Sequence, residues 1–265
     1  MINPELHRQP VALNREQHRT LKLRADVNHL MGAASLNAVF LTGTEFVDAC
    51  KHYPILFLSA GQDAHGRAQA ASVAVFGLNA GENLFVTPDG WDAPYVPATL
   101  RSYPFTLARV EQEQYALCFD GAAPGISMEQ GEPLFDDAGE PTPLLEDLHA
   151  LAQQVEIEAE RTRLMGMKLM ELGLLRPKRF DAKLSDGTPI VVDGFMAVDE
   201  DRLNKLGDAE LALLQRSGLM ALVHAHLISL GNMRGLIERR LAQAETAAAV
   251  ALASAASKGA GAAPT

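Results

Sequence analysis

Trp91, Tyr95, Arg101, Tyr103 and His226 are the side chains whose types and settings could recognise or react. The first four crowd the stretch ENLFVTPDGWDAPYVPATLRSYPF, which holds the only tryptophan of the chain. Exposed aromatic rings beside a guanidinium can bind carbohydrate or peptide, because each ring offers apolar area and a polar tip. The same residues can instead pack a turn onto a sheet. His226 stands near His224 in VHAHL, which raises the question of a metal. Residues two apart on a helix point about 200° from each other, so the pair cannot grip one ion there. A packing role accounts best for both histidines; His226, on the Val223–Leu230 face, is the better candidate if either acts as a ligand or catalyst.

The other polar groups point to less. Asp136, Asp137 and Glu140 could meet a hard cation, but they lack the alternation of a calcium loop and read as a solvated turn. Asp193 and Asp199 flank GFMAV as a turn residue and a helix cap. No HExxH, HxD or GxSxG pattern occurs. KGAGAAPT follows no strand and so is not a phosphate loop. Cys50 and Cys118 have no CxxC partner and sit in apolar surroundings, where free cysteines act as small buried hydrophobes. Neither a metal nor a cofactor is expected.

The elements that must position these residues are legible in outline. TEFVDACKHYP reads as a short helix with Thr44 as N-cap, ended by the restriction on the residue before Pro54. PILFLSA, AASVAVFGL and ENLFV read as strands, with Phe85 pointing opposite to Leu84 and Val86. TPDG is turn chemistry, with Pro88 presetting φ and Gly90 accepting a positive φ. Ala98 and its neighbours form a short helix with Pro97 at its first position. FTLARV and QYALCFD are two more strands, joined by the polar EQEQ. Tyr53-Pro54 recurs as Tyr103-Pro104 and Leu84-Phe85 as Leu134-Phe135, each 50 residues later, the spacing an internal duplication would leave.

From Pro143 the period becomes helical. Leu144, Leu148, Leu151, Val155, Glu158, Thr162, Met165, Leu169 and Leu172 form one face of a long helix, stopped by Gly173 and Pro177. The polar Glu158 and Thr162 interrupt that seam, so the helix should pack on the sheet rather than in a coiled coil. A hairpin around Asp186-Gly187 follows. Asp199 and Asp208 then cap two short helices that turn Leu203, Leu206, Leu211 and Leu214 inward, with Gly207 and Gly218 as stops. A stronger helix runs from about Leu219 to Arg240, and the last eight or so residues should be loose.

The expected fold is α+β: a largely antiparallel sheet with an internal echo, a long packed helix and a helical C-terminal segment. Residues 1–140 are the β-rich region with short helices, and 141–177 the long helix. Residues 178–240 hold the hairpin and helices, in the same domain or a small second one, and 241–265 an Ala-rich tail.

A net charge of −10 argues against nucleic acid and anionic membranes, both of which select clustered Lys and Arg. The longest apolar run, LMALVHAHLISL, has 12 residues, short of the roughly 17–25 that span a bilayer, so membrane insertion is not expected. The first residues lack an apolar signal-peptide region, which points to the cytoplasm, with export by a non-Sec route as the alternative.

Four segments taken together resemble the bacterial SapC family: EFVDACKHYPILF, GENLFVTPDGWDAPYVPATLRSYPFTLA, GEPLFDDAGEPT and VDEDRLNKLGDAELALLQRSGLMALVHAHLISL. They cover most of residues 40–235 in the family's order. The family commonly has two arginines before Tyr-Pro-Phe; here the second position is Ser102. The resemblance implies a protein named for a paracrystalline surface layer, and it carries over no catalytic residues. Relatives tend to be encoded near outer-membrane receptors and flavin-dependent halogenases, which implies an accessory role. Two functions therefore stay open. One is a non-enzymatic surface-layer-associated or accessory protein that binds a protein partner or itself through the Trp91–Tyr103 surface. The other is an enzyme, or an enzyme's partner, in a peptide or aromatic-compound modification or uptake pathway. The second needs a cleft holding His226 or an acidic cluster.

Overall fold

The computed structural model describes residues 2–111, 114–183, 187 and 189–260. In chain order come β1 (Pro10–Ala12), β2 (Lys22–Leu23), β3 (Ala38–Phe40), α1 (Phe46–Ala49), β4 (Ile55–Gln62) and β5 (Ala68–Val75). Next are β6 (Val86–Thr87), β7 (Gly90–Trp91), α2 (Ala98–Arg101), β8 (Phe105–Glu111), β9 (Gln114–Asp120), β10 (Ile126–Ser127) and β11 (Glu132–Pro133). The long α3 (Pro143–Glu171) leads to β12 (Leu175–Lys183), β13 (Pro189–Val198), α4 (Glu200–Leu203) and α5 (Asp208–Arg216). The chain ends in α6 (Leu219–Ser229) and α7 (Met233–Ala260). The fold is α+β. Its pairings are antiparallel, in a five-stranded sheet β12-β13-β4-β5-β3 and smaller sheets β1-β9-β8, β10-β2-β11 and β6-β7.

The 50-residue echo corresponds to a structural repeat. In both copies a short helix leads into Tyr-Pro, then a hairpin, then a buried Leu-Phe pair. The Pro54 carbonyl accepts from Val75 N–H at 3.0 Å, and the Pro104 carbonyl from Asp120 N–H at 2.9 Å. Ile55 pairs with Ala74 and Phe105 with Phe119, and both ladders shift register at the matching place, after Ser59 and after Arg109. A third strand lies on the second strand of each hairpin: Val39 opposite Ala74 in one, Val11 opposite Phe119 in the other. The closing bonds match too, Leu41 N–H to Ser72 O at 3.0 Å and Leu13 N–H to Leu117 O at 2.8 Å. The first unit sits in the chain between β1 and β8 of the second, so one three-stranded unit is nested inside the other.

Helix α3 joins the two units, packing on β5 and β8. Thr142 starts it, its hydroxyl donating to the Pro133 carbonyl at 2.9 Å, with Pro143 in the first turn. It closes in a left-handed cap at Gly173, φ +67°: Leu174 N–H reaches Leu169 O and Gly173 N–H reaches Met170 O. Glu158 and Thr162 do not interrupt the packed face; both are buried in it. Thr162 Oγ1 accepts from Gly43 N–H at 2.8 Å, filling an orphan donor at the start of the 3-10 turn Gly43–Glu45.

Several sequence expectations change. Of ENLFV only Val86 lies in a strand, because Asn83 Oδ1 takes Phe85 N–H at 3.0 Å and turns the chain locally. Leu84 and Phe85 are consequently both buried instead of facing opposite sides. Thr42, not Thr44, precedes the first helical turn, and Gly207, not Asp208, caps α5. Pro177 lies inside β12, an edge strand whose exposed Arg176, Lys178, Arg179 and Lys183 discourage pairing with another chain. The hairpin β12–β13 joins the main sheet through Met196 opposite Phe57. The predicted helix over 219–240 breaks at Leu230–Asn232. Asn232 Nδ2–H there donates to the Cys50 and Tyr53 carbonyls at 2.8 and 3.1 Å. Cys118 is buried, whereas Cys50 is only partly so. Gln112, Glu113, Asp186 and residues 261–265 lie outside the described residues, while 258–260 continue α7. Among the described residues no single helix is long and apolar enough to cross a membrane.

Candidate functional site

The loop between β6 and α2 is built on an aromatic cluster. The hairpin β6–β7 turns at Pro88-Asp89, with Gly90 at φ +135°. It brings Trp91 over the fully buried Phe76, Phe85 and Tyr53. Trp91 stacks on Phe85 (centroids 5.7 Å, planes 18° apart) and meets Phe76 edge-on at 4.9 Å. Its indole N–H is shared between the Tyr53 hydroxyl at 2.7 Å and the Tyr95 carbonyl at 3.1 Å. Tyr53 in turn donates to that carbonyl, and burial pushes its phenol up to about 12. Arg239 of α7 closes the far side. Its guanidinium lies 4.2 Å from the Phe85 centroid and donates to Asp92 at 2.5 Å.

A buried carboxylate holds the other end of the loop. Glu45 accepts from Thr42 N–H at 2.9 Å and Thr42 Oγ1–H at 2.7 Å on one oxygen. Its other oxygen accepts from Tyr95 O–H at 2.8 Å and Ala98 N–H at 2.6 Å. Burial and the Glu45 charge push the Tyr95 phenol upward, and the exposed Arg101 beside it opposes part of that rise. Glu45→Gln puts an NH₂ where two donors converge, so we expect a loss of about 2–3 kcal/mol. Urea denaturation measures the loss, and hydrogen exchange at Tyr95 to Ala98 should rise with it.

Tyr103 and His226 face inward. Tyr103 is 6% exposed and donates to Asp120 Oδ2 at 2.9 Å. Asp120 is spent on that bond and on the backbone N–H groups of Gln9 and Ala122. His226 is fully buried in α6. Its Nδ1–H donates to Ile55 O at 2.7 Å and its Nε2 accepts from Val198 N–H at 3.0 Å. The register that sets Met196 opposite Phe57 would set Val198 opposite Ile55. The imidazole thus stands in the β4–β13 ladder as a bridging rung. Ser229, one helical turn on, accepts from Ile55 N–H at 2.9 Å. With both nitrogens committed, the ring has no lone pair or proton for a substrate. Burial lowers its pKa to about 4, so it is neutral at pH 7.

The structure therefore gathers Trp91, Tyr95 and Arg101 on the segment from β7 through α2 and places Tyr103 and His226 in the core. Trp91 and Tyr95 are half-buried, and Pro88, Asp89, Asp92, Pro94 and Arg101 are exposed around them. Between the β6–β7 hairpin and α7 lies an open cleft of about 580 Å³, lined by Val86, Thr87, Pro88, Asp92 and Arg239 among others. Sequence reasoning missed Glu45, Tyr53 and Arg239 as the supports of this loop. The echo alone marked Tyr53, as the counterpart of Tyr103. His224 is exposed, and Asp136 accepts Glu140 N–H at 2.8 Å in an ordinary turn. Among the described residues no group of three His, Cys, Asp or Glu side chains is placed to hold a metal ion.

Compared with known proteins, residues 13–236 match the family model described as SapC. No curated protein and no solved structure matches the chain.

Proposed function

The chain belongs to the SapC family, and from that premise we propose that it is a non-enzymatic binding protein of the surface-layer-associated or accessory kind. Its partner is a protein or a second copy of itself, met through the loop 88–101. The observation that carries this reading is the state of Trp91. It is held by a stacked ring and a shared indole hydrogen bond, yet it is only partly buried, and exposed Pro, Asp and Arg side chains flank it in the chain. A large rigid aromatic in a polar rim is what binding hot spots are made of, because little entropy is lost when it is covered.

The outer side chains can be changed with the protein still folded. Asp89 and Arg101 are exposed, but Arg101 lies beside the Tyr95 phenol and the Glu45 carboxylate, so Asp89→Lys and Arg101→Glu together should lower the thermal midpoint by a few degrees, about 2–4 °C, without unfolding the protein. In affinity capture from native cells, the pair of changes should cut recovery of the co-purifying protein at least about tenfold. Undiminished recovery with both charges reversed would place the binding surface elsewhere. Fractionating the same cells tests the location: co-sedimentation with the envelope supports the surface-layer role, and a purely cytosolic protein supports the accessory one.

A further inference from the structure

A second site lies where α3 crosses from one repeat unit to the other. A cavity of about 270 Å³ sits beside the helix there, and small side chains make it. Ala152 and Ala159 line it from α3. Thr106 of β8 lines it at the place that the buried Leu56 takes in the first unit, 50 residues earlier. Phe40 and Val155 are further walls. A void of this kind forfeits dispersion contacts as its volume grows, and close-packed interiors keep few of them. The exposed Ile2 and Pro4 stand at its edge. It shares Phe40 and Ala159 with a wider cleft of about 810 Å³, which offers a way in.

The lining decides what can enter. No Lys, Arg, Asp or Glu lines the cavity. Two wall hydroxyls have already spent their hydrogens: Thr99 donates to Phe40 O at 3.1 Å and Ser102 to Thr99 O at 3.2 Å. Asn3 is spent locally, its N–H donating to His7 Nδ1 at 3.1 Å and its Oδ1 accepting from Glu5 N–H at 3.0 Å. A charged or strongly polar group would leave water here for few partners, and that costs more than the burial of its apolar part returns. An apolar cavity of about 150 Å³ stays dry and takes benzene. The larger volume here has room for a ring that carries a short chain.

We infer that this cavity binds a small uncharged apolar compound, an aromatic ring with a short hydrocarbon chain. Binding there does not depend on the partner surface around Trp91.

The test uses the full chain with ¹³C-methyl alanine, titrated at pH 7.5 with ethylbenzene, benzamide and benzoate as probes. Ethylbenzene should shift the Ala152 and Ala159 methyl signals saturably, with a dissociation constant on the order of 0.1–1 mM. Benzamide and benzoate should bind at least about tenfold more weakly. Ala159→Leu fills the cavity from α3 and should abolish the shift at Ala152. If that variant does not fold, wild-type crystals under xenon carry the test, with a xenon atom expected between Phe40 and Ala159. Benzoate or benzamide binding as tightly as ethylbenzene, no saturable shift, or a shift at Ala152 that survives Ala159→Leu would overturn the inference. So would crystals in which ordered waters fill the cavity and no xenon enters.

Discussion

Replacing His226 with leucine is expected to lower the unfolding free energy by about 3–5 kcal/mol at pH 7.5. The substitution keeps roughly the volume and the apolar contact with Phe57. What it removes are the partners of two buried backbone groups, Ile55 C=O and Val198 N–H, bonded at 2.7 and 3.0 Å. Each, left unsatisfied, costs about 1–3 kcal/mol. The pH dependence identifies the cause. The ring titrates near 6.5 when unfolded and about 4 when folded, so the unfolded chain takes up a proton that the folded one refuses. Its stabilisation is complete above pH 6.5 and is lost progressively as pH falls to about 4, a difference of about 3 kcal/mol. His7, also lowered by burial, acts in the same direction. Urea denaturation of both proteins at pH 7.5 and 4.5 should therefore show the gap between wild type and His226→Leu narrowing in acid. A gap that stays constant would mean that the imidazole is ordinary packing.

Gly166→Ala is expected to cost about 3 kcal/mol, although the substitution favours a helix by about 1 kcal/mol in isolation. A Cβ at Gly166 would overlap the backbone carbonyl oxygen of Ala70 in β5. Backbone cannot rotate away as a side chain can, so α3 would have to lift from the sheet. The steric term exceeds the propensity gain, and the sign is a loss. Gly235→Ala in α7 is the matched control, since a Cβ there meets nothing within 4 Å. It should be neutral or stabilising by up to about 1 kcal/mol. Thermal unfolding of both variants checks the pair, and a destabilised Gly235→Ala with an unaffected Gly166→Ala would refute the close approach.

Local signals in the sequence read well where local chemistry decides. The strands after Tyr53-Pro54 and Tyr103-Pro104, the positive φ at Gly90, and the long helix from Pro143 with its stop at Gly173 all follow from spacing and turn residues. The echo was legible, but the third strand of each unit was not. β1 and β8 are separated in the chain by the whole first unit, and no periodicity spans that distance. Partnerships across the fold were invisible for the same reason. Thr162 looked like a flaw in an apolar seam because its partner, Gly43, lies 119 residues away. His226 looked like a candidate catalyst because its two carbonyl and amide partners lie on β4 and β13. Nothing in its short helix marked Glu45 as an anchor, because the loop that its carboxylate holds lies 50 residues later. Of the candidate site, the sequence marked the loop and its rings. Which rings face solvent and which face the core depended on these distant partners.

The account stands on Trp91 being a contact residue, and the chain has no other tryptophan. Protein grown with 5-fluorotryptophan therefore gives a single ¹⁹F signal from the centre of the proposed surface. Titration with the envelope fraction of native cells should broaden or shift that signal, and the Asp89→Lys, Arg101→Glu protein should show neither change. A signal that stays sharp and unmoved while the wild-type protein demonstrably binds the fraction would contradict the account.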